Sequence, residues 1–563
     1  MKTQNTYIFT LLLAVSGQVC GQASAQTGFH GLNLTAADRA AAAITADRLR
    51  DTVAEISADA FGGRLPASPG DQAARAYLQR RLEQLGYLPG AGNGQWQQPF
   101  ELVGIESRWP DAWTFQAGET TLALQYWNDY IASSGVQSER AAFENAEVVF
   151  VGYGIVAPEY QWDDYKDRDL RGKVLLMLNN DPDWDPDLFQ GATRLRYGRW
   201  DYKYESAAGR GAVAAIIIHT TPSAGYPFQV VQSSWAGEQF ELPAGSEARI
   251  QVEAWVTEEA ARRLAAAAGR DFDDLVAAAR SRDFQPVPLA LTTSLALTNQ
   301  TRRVTTANVL GVLPGVDPDL SDEAVVYTAH HDHLGTGKPD AAGDTIYNGA
   351  LDNGAGVAQV LAIAAAFRNL PQAPRRSILV ALVGAEEQGL LGSKYYAAHP
   401  TFPPGKIAAN INYDGGNNLG KTRDLVFIGY GKSTLDTIVE FIAKRQGRTV
   451  KPDQLPDRGY FYRSDQYPFA RIGVPALYLK TGVDFIGRPS GWAREQIEYF
   501  EAHHYHQPSD ELTDSWNFEG MVDDARVGFL TGWIIANTPE LPAWKPGDEF
   551  EAARQQALQA VAE

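Results

Sequence analysis

The stretch Ala324-Val325-Val326-Tyr327-Thr328-Ala329-His330-His331-Asp332-His333-Leu334-Gly335 opens the most informative part of this chain. Its first residues form a short apolar run rich in β-branched side chains, which is how a buried strand reads. That strand runs directly into three histidines within four positions. Imidazole is a preferred zinc ligand, and a nearby carboxylate such as Asp332 fixes its orientation. Similar apolar runs recur at 377–383, 407–413, 425–429 and 475–479, separated by helical patterns that include 354–368 and 434–445. From Thr305 onward this alternation predicts an α/β sandwich around a largely parallel sheet. In such sheets ligands bind beyond the carboxyl ends of the strands, so those ends are where chemistry is sought.

Each strand end brings a candidate. The segment Asn348-Gly349-Ala350-Leu351-Asp352-Asn353-Gly354-Ala355-Gly356 leads into the helix predicted from Gly354. Asp352 reads either as an N-cap or as a carboxylate bridging two cations, one on each oxygen. The run 377–383 ends in Gly384-Ala385-Glu386-Glu387-Gln388-Gly389, where adjacent acids after an apolar strand face a crevice. One of the pair can bind metal while its neighbour moves protons. Asp414 follows 407–413 and is also compatible with a simple turn. Far downstream, Tyr505-His506-Gln507-Pro508-Ser509-Asp510 follows His503 and His504. Taken together, the strand ends offer three carboxylates and two imidazoles, a mixed oxygen and nitrogen set suited to a pair of zinc ions.

The strings TAHHDHLG, NGALDNGAG, GAEEQGLLGS, NINYDGG, YRSDQYPFARIGVPAL and YHQPSDE, in this order, resemble the di-zinc exopeptidase family of the bacterial leucyl aminopeptidase type. The transferrin receptor and the glutamate carboxypeptidases are distant relatives in that family. The resemblance covers roughly 45–130 and 298–540. It implies a three-layer sandwich with a mixed, largely parallel sheet, the zinc exopeptidase fold. It also implies His330 and Asp414 as ligands of one zinc, Glu387 and His506 as ligands of the other, and Asp352 as the bridge. Glu386 becomes the general base and Asp332 the partner that orients His330, whereas His333 receives no role. Tyr505 resembles a tyrosine that supports the tetrahedral intermediate, and Arg463 one that lies near substrate. Gln466 stands where many relatives have histidine. The implied activity is removal of amino-terminal residues from peptides by a di-zinc-activated water. Three alternatives stay open: a carboxypeptidase or dipeptidase of the same fold, a single-zinc glutaminyl cyclase, and a non-catalytic binding ectodomain.

Upstream, 71–85 carries apolar residues at helical spacing, with Gly86 where a C-cap belongs. Short strands at 148–151, 173–178 and 212–218, with a helical 203–209, suggest a small β-rich unit over 138–297. The resemblance makes it a protease-associated domain inserted into a catalytic domain of 45–137 and 298–540. The remaining divisions are a signal at 1–25, a linker at 26–44 and a helical tail at 541–563. The stretch 101–137 is aromatic and irregular and receives no elements.

Residues 1–25 read as a secretory signal, with Lys2 at the start, an apolar run at 7–15 and a cleavage pattern at Ala23-Ser24-Ala25. The one cysteine, Cys20, falls inside that segment, behind a lead-in that suits lipid attachment poorly. The expected protein is therefore exported, periplasmic or extracellular, and free of thiols in its mature form. Lys plus Arg number 49 against 68 Asp plus Glu, a net charge of -19 that argues against nucleic acid or an anionic membrane as partner. Peptides are the expected substrates, with no membrane insertion once the signal is removed.

Overall fold

The computed structural model of the chain describes Phe29 and residues 31–562; the expected signal and Cys20 lie outside the described residues. The α/β architecture is present. The strands Ala324–His330 and Ser377–Val383 pair in parallel over their whole length, from Ala324 opposite Ser377 to His330 opposite Val383. On the other side Ala324–His330 pairs in parallel with Ile407–Asn412, which pairs in parallel with Ala476–Lys480. Asp424–Ile428 then runs antiparallel to Ala476–Lys480, and the end of Val287–Leu313 runs antiparallel to Ser377–Val383. The sheet is thus mixed and largely parallel, as expected.

Period-two alternation explains its three layers. Val325, Tyr327 and Ala329 point into one core with the helices Ala355–Arg368 and Glu519–Asn537, while Ala324 and Val326 point into a second with Tyr396 and Phe469. The helix Ala355–Arg368 is buried from Ala355 through Phe367. Each buried Val, Leu or Ile contributes about 1.5–3 kcal/mol, so this helix anchors one whole face of the sheet. Residues 350–368 are also apolar and long enough to cross a membrane, but 89% of the most apolar window is buried inside the fold. That burial makes it a core helix. The predicted helix at 71–85 is present as Pro69–Gln84, with Ser68 capping its start and Gly86 at a φ of 75° after its end.

Structure within and across the expected divisions is continuous at several places. Within the 26–44 linker, Thr35–Ala41 forms a helix with Ala37, Ala40 and Ala41 buried, because its small residues pack against the helices of the central core. The unassigned 101–137 contains the strands Gln97–Arg108, Ala112–Ala117, Thr120–Gln125 and Tyr130–Ser134. Trp113, Phe115, Leu124 and Tyr130 share one core with Ala141, Val148, Val174 and Ile216, so packing does not divide at 137/138. Nor does it divide at 297/298, where a single strand, Val287–Leu313, pairs with Arg140–Phe150 and then with Gln97–Arg108.

Beyond that ribbon the same hydrogen-bonded sheet continues into a second layer of strands. Ala214–His219 pairs in parallel with Val174–Leu178 and with Val252–Thr257. Helices Trp200–Gly209, Phe228–Trp235, Glu258–Ala267 and Phe272–Ala279 accompany it. Its core is continuous with Val426, Ile428, Phe461 and Tyr462 of the central region, so this unit is packed against the end of the main sheet. The final helix, Glu551–Ala562, is fastened by Arg554, which donates to the carbonyls of Pro404 and Ile407.

Candidate metal centre and adjoining cavity

The strand ends do converge. His330 ends its strand with a fully buried side chain, and its Nε2 faces Asp352 Oδ1 at 3.2 Å and Asp414 Oδ1 at 3.7 Å. On the other side of the same carboxylate, His506 Nε2 faces Asp352 Oδ2 at 3.3 Å and Glu387 Oε2 at 3.1 Å. The two oxygens of Asp352 are therefore divided between two imidazoles, each beside a further carboxylate. His330, Asp352 and Glu387 bring one ligand atom each within 4.8 Å of one another. Glu386 Oε2 lies 4.0 Å from His330 Nε2.

Local structure explains why Asp352 is free for this work. The helix Ala355–Arg368 starts without a side-chain cap, so Asp352 is not its N-cap. Asn353 instead ties the turn to the next strand end. Its Nδ2 donates to the Tyr413 carbonyl at 3.0 Å, and its Oδ1 accepts from Gly356 and Gly415 N–H at 2.9 Å each. A Cβ on Gly356 would come within 2.1 Å of Asn353 Oδ1, so only glycine fits there. Asp510 accepts from the N–H groups of Leu351 and Asp352, holding the Asp352 loop from the side of His506. His506 and Ala385 both have positive φ, 56° and 58°, backbone states that persist only when surroundings impose them.

Asp332 orients more than one group. Its carboxylate accepts from Glu386 N–H at 3.0 Å and Glu387 N–H at 3.3 Å. The carboxylate is 3.8 Å from His330 Nδ1, and the Nδ1 contact at hydrogen-bond distance is with the Asp332 carbonyl, at 3.3 Å. Asp332 thus positions the glutamate pair by hydrogen bonds and His330 through its backbone. His333, left without a role by the sequence, bonds Glu387 Oε1 through Nδ1 at 2.6 Å. Arg64 was also missed. Fully buried, it donates to the carbonyls of His331, Asn348 and Gly349, joining the loops that carry His330 and Asp352. Burial pushes its guanidinium down to about 10, opposed by Asp332 and Asp510. The HHDH string contained a signal for Asp71, since a buried His331 needs a partner and finds Asp71 Oδ1 at 3.1 Å.

The electrostatics are those of a cation site. Burial opposes ionisation of Asp352, yet the imidazoles of His330 and His506 overcome it and hold the carboxyl well below its ordinary range. Burial likewise opposes charge on His506, but Glu387 and Asp352 lift it to about 9. Glu386 differs. Burial raises its pKa well above the ordinary range, and Glu387, Asp465 and Asp414 add to this against the pull of His330. The Nε2 atoms of His330 and His506 are buried without a hydrogen-bond partner, as expected of ligands aimed at an ion. Two imidazoles and three carboxylates fit zinc.

A cavity of about 920 Å³ opens on this cluster, lined by Asp352, Glu386, Glu387 and Asp414 together with Arg463 and Tyr505. Tyr505 packs against the His506 ring at 3.9 Å between centroids, tilted by 33°, and its hydroxyl accepts from Arg463 Nη2 at 3.3 Å. Phe485, Tyr499 and Phe500 form part of the wall. Trp492 sits behind them against Phe485, at 5.0 Å. Gln466 is buried outside this lining, donating to the Phe461 carbonyl and accepting from Asn412.

The α/β domain thus carries a histidine and carboxylate cluster at its strand ends. Residues 308–525 match Peptidase family M28. The chain is 28% identical over 249 residues to leupeptin-inactivating enzyme 1 of Streptomyces exfoliatus, a match covering 43% of this chain and 51% of that protein. It is 32% identical over 114 residues to a vacuolar membrane protease of Schizosaccharomyces pombe, covering 20% of this chain and 12% of the relative. The chain thus spans about half the length, or less, of these curated relatives. Among solved structures, an aminopeptidase from Aneurinibacillus sp. strain AM-1 shares the fold, with a TM-score of 0.53 and 19% identity over 90% of this chain and 97% of that one.

Proposed function

We propose that this protein is an exported zinc aminopeptidase that removes amino-terminal residues from peptides, with two zinc ions per chain. The observation that carries the reading is the division of Asp352, one oxygen toward His330 Nε2 and the other toward His506 Nε2. His330 and Asp414 would hold one ion, Glu387 and His506 the other, and Asp352 both. When bound, the zinc pair supplies Lewis acidity toward water and the scissile carbonyl.

The chain's own residues do the rest. Glu386, reaching into the cavity beside this cluster, takes a proton from the attacking water and later delivers it to the leaving amine. The Tyr505 hydroxyl, held by Arg463, is placed to donate toward an oxygen that gains negative charge at the carbonyl. Asp332 keeps Glu386 and Glu387 in register through their backbone N–H groups. The Aneurinibacillus protein is an aminopeptidase, and that polarity is carried to this chain as part of the proposal. The second unit, which includes residues 138–297, corresponds in this reading to a protease-associated domain.

The test is release of leucine by purified, zinc-loaded protein from a peptide with a free amino terminus, beside the same peptide N-acetylated. Cleavage of the free peptide alone supports the aminopeptidase. Cleavage of both moves the assignment to a carboxypeptidase or endopeptidase, and cleavage of neither defeats the hydrolytic reading for this substrate class.

A further inference from the structure

The second unit reaches the metal centre itself. Its helix Phe228–Trp235 carries Ser234, a buried residue whose Oγ lies 2.7 Å from His506 Nδ1. The other nitrogen of that ring, Nε2, faces Glu387 and Asp352. A neutral imidazole has one proton, so a ring that ligates through Nε2 carries it on Nδ1 and must donate there. The acceptor is the Ser234 hydroxyl, supplied by a segment 272 residues away in sequence.

A second contact comes from the same region. The N–H of Phe240, on the strand Glu238–Glu241, donates to Gln388 Oε1 at 2.9 Å, and Gln388 directly follows Glu387. Residues 228–241 therefore touch both loops that bear the Glu387 and His506 pair. His330 is served differently, through the Asp332 carbonyl of its own strand end. The flanking contacts fasten the unit in place. Tyr226 packs against Tyr505 at 6.2 Å between centroids, and the Arg463 guanidinium lies over Tyr226 at 5.5 Å.

We infer that Ser234 is a positioning residue for one of the two metals: it holds His506 in the tautomer and orientation that ligation needs, making the second unit a structural component of the Glu387/His506 site. This rests on the proposed di-zinc reading and deepens it. Partners that orient a ligating histidine typically change metal affinity by about 10- to 100-fold when removed. Because Ser234 touches one ligand pair and not the other, its loss weakens one ion selectively.

The experiment is a zinc titration of metal-free full-length protein against a chromophoric chelator, resolving two dissociation constants. Ser234→Ala is expected to weaken one constant about 10- to 100-fold and leave the other in place. Ser234→Thr keeps the hydroxyl and restores the weakened constant. Ser233→Ala, on the same helix but bonded to the Gln229 and Val230 carbonyls, leaves both constants unchanged and controls for helix damage. Unchanged constants in Ser234→Ala overturn the inference, as does equal weakening of both ions or a failure of threonine to rescue. A wild-type protein that takes up no zinc overturns the metal reading and the inference together.

Discussion

Replacing Glu386 with glutamine tests the chemistry at its centre. The exchange is nearly isosteric, and the loop that carries it is held by backbone rather than by this side chain. Glu386 N–H bonds Asp332 at 3.0 Å and Glu387 N–H bonds the same carboxylate at 3.3 Å, so neither contact is lost. Glu386 is also absent from the proposed ligand set. Metal content is therefore expected to stay at two zinc ions, while the amide can neither accept the proton from water nor return it to the leaving amine. Loss of a general acid-base lowers turnover by about 10²- to 10⁴-fold, which at 1.36 kcal/mol per decade raises the barrier by about 3–5 kcal/mol. The assay is steady-state hydrolysis of a leucyl amide with zinc measured by elemental analysis on the same sample. The fall is expected in kcat rather than KM. Near wild-type turnover at full zinc occupancy would refute Glu386 as the base.

Other expectations follow from the same geometry. Asp352→Ala, which removes oxygens facing both imidazoles, is expected to lose both ions; elemental analysis showing full zinc would remove the bridge. His333→Phe takes away the 2.6 Å bond to Glu387 and is expected to weaken zinc binding about 10- to 100-fold in chelator competition. In the second unit, His219 is only 3% exposed among Tyr226, Phe228 and Trp255, and burial pushes its imidazole from 6.5 down to about 4. The folded state therefore stays neutral while the unfolded chain takes up a proton, so stability present above pH 6.5 is lost as pH falls toward 4. At about 1.4 kcal/mol per pH unit this amounts to about 3 kcal/mol, read as a falling urea midpoint that His219→Phe makes less steep. An unchanged slope in that variant would show that His219 does not drive the acid sensitivity.

Much of the central domain was legible because strand and helix periods differ and the buried strands are nearly pure apolar runs. Ser-Ile-Leu-Val-Ala-Leu-Val at Ser377–Val383 has few other readings. The strands at 97–134 were not legible for the opposite reason. Ala112–Ala117 and Thr120–Gln125 are exposed on one face and mix aromatic with polar residues, so that Trp113 and Phe115 look irregular until their shared core is seen. At 297/298 a continuous strand, Val287–Leu313, leaves no turn or linker in the sequence to mark a change of unit.

The sequence by itself determined the class of fold and the residue types available for chemistry. Strand ends rich in His, Asp and Glu follow from local patterns that need no knowledge of distant contacts. Only the tertiary structure decided which partner each side chain takes, because hydrogen bonds between segments tens to hundreds of residues apart leave no periodicity. Arg64 between the loops that carry His330 and Asp352, His333 on Glu387 and Ser234 behind His506 all belong to this second kind. The order of the proposed ligands was written locally; their orientation depends on burial and on the packing of one unit against another.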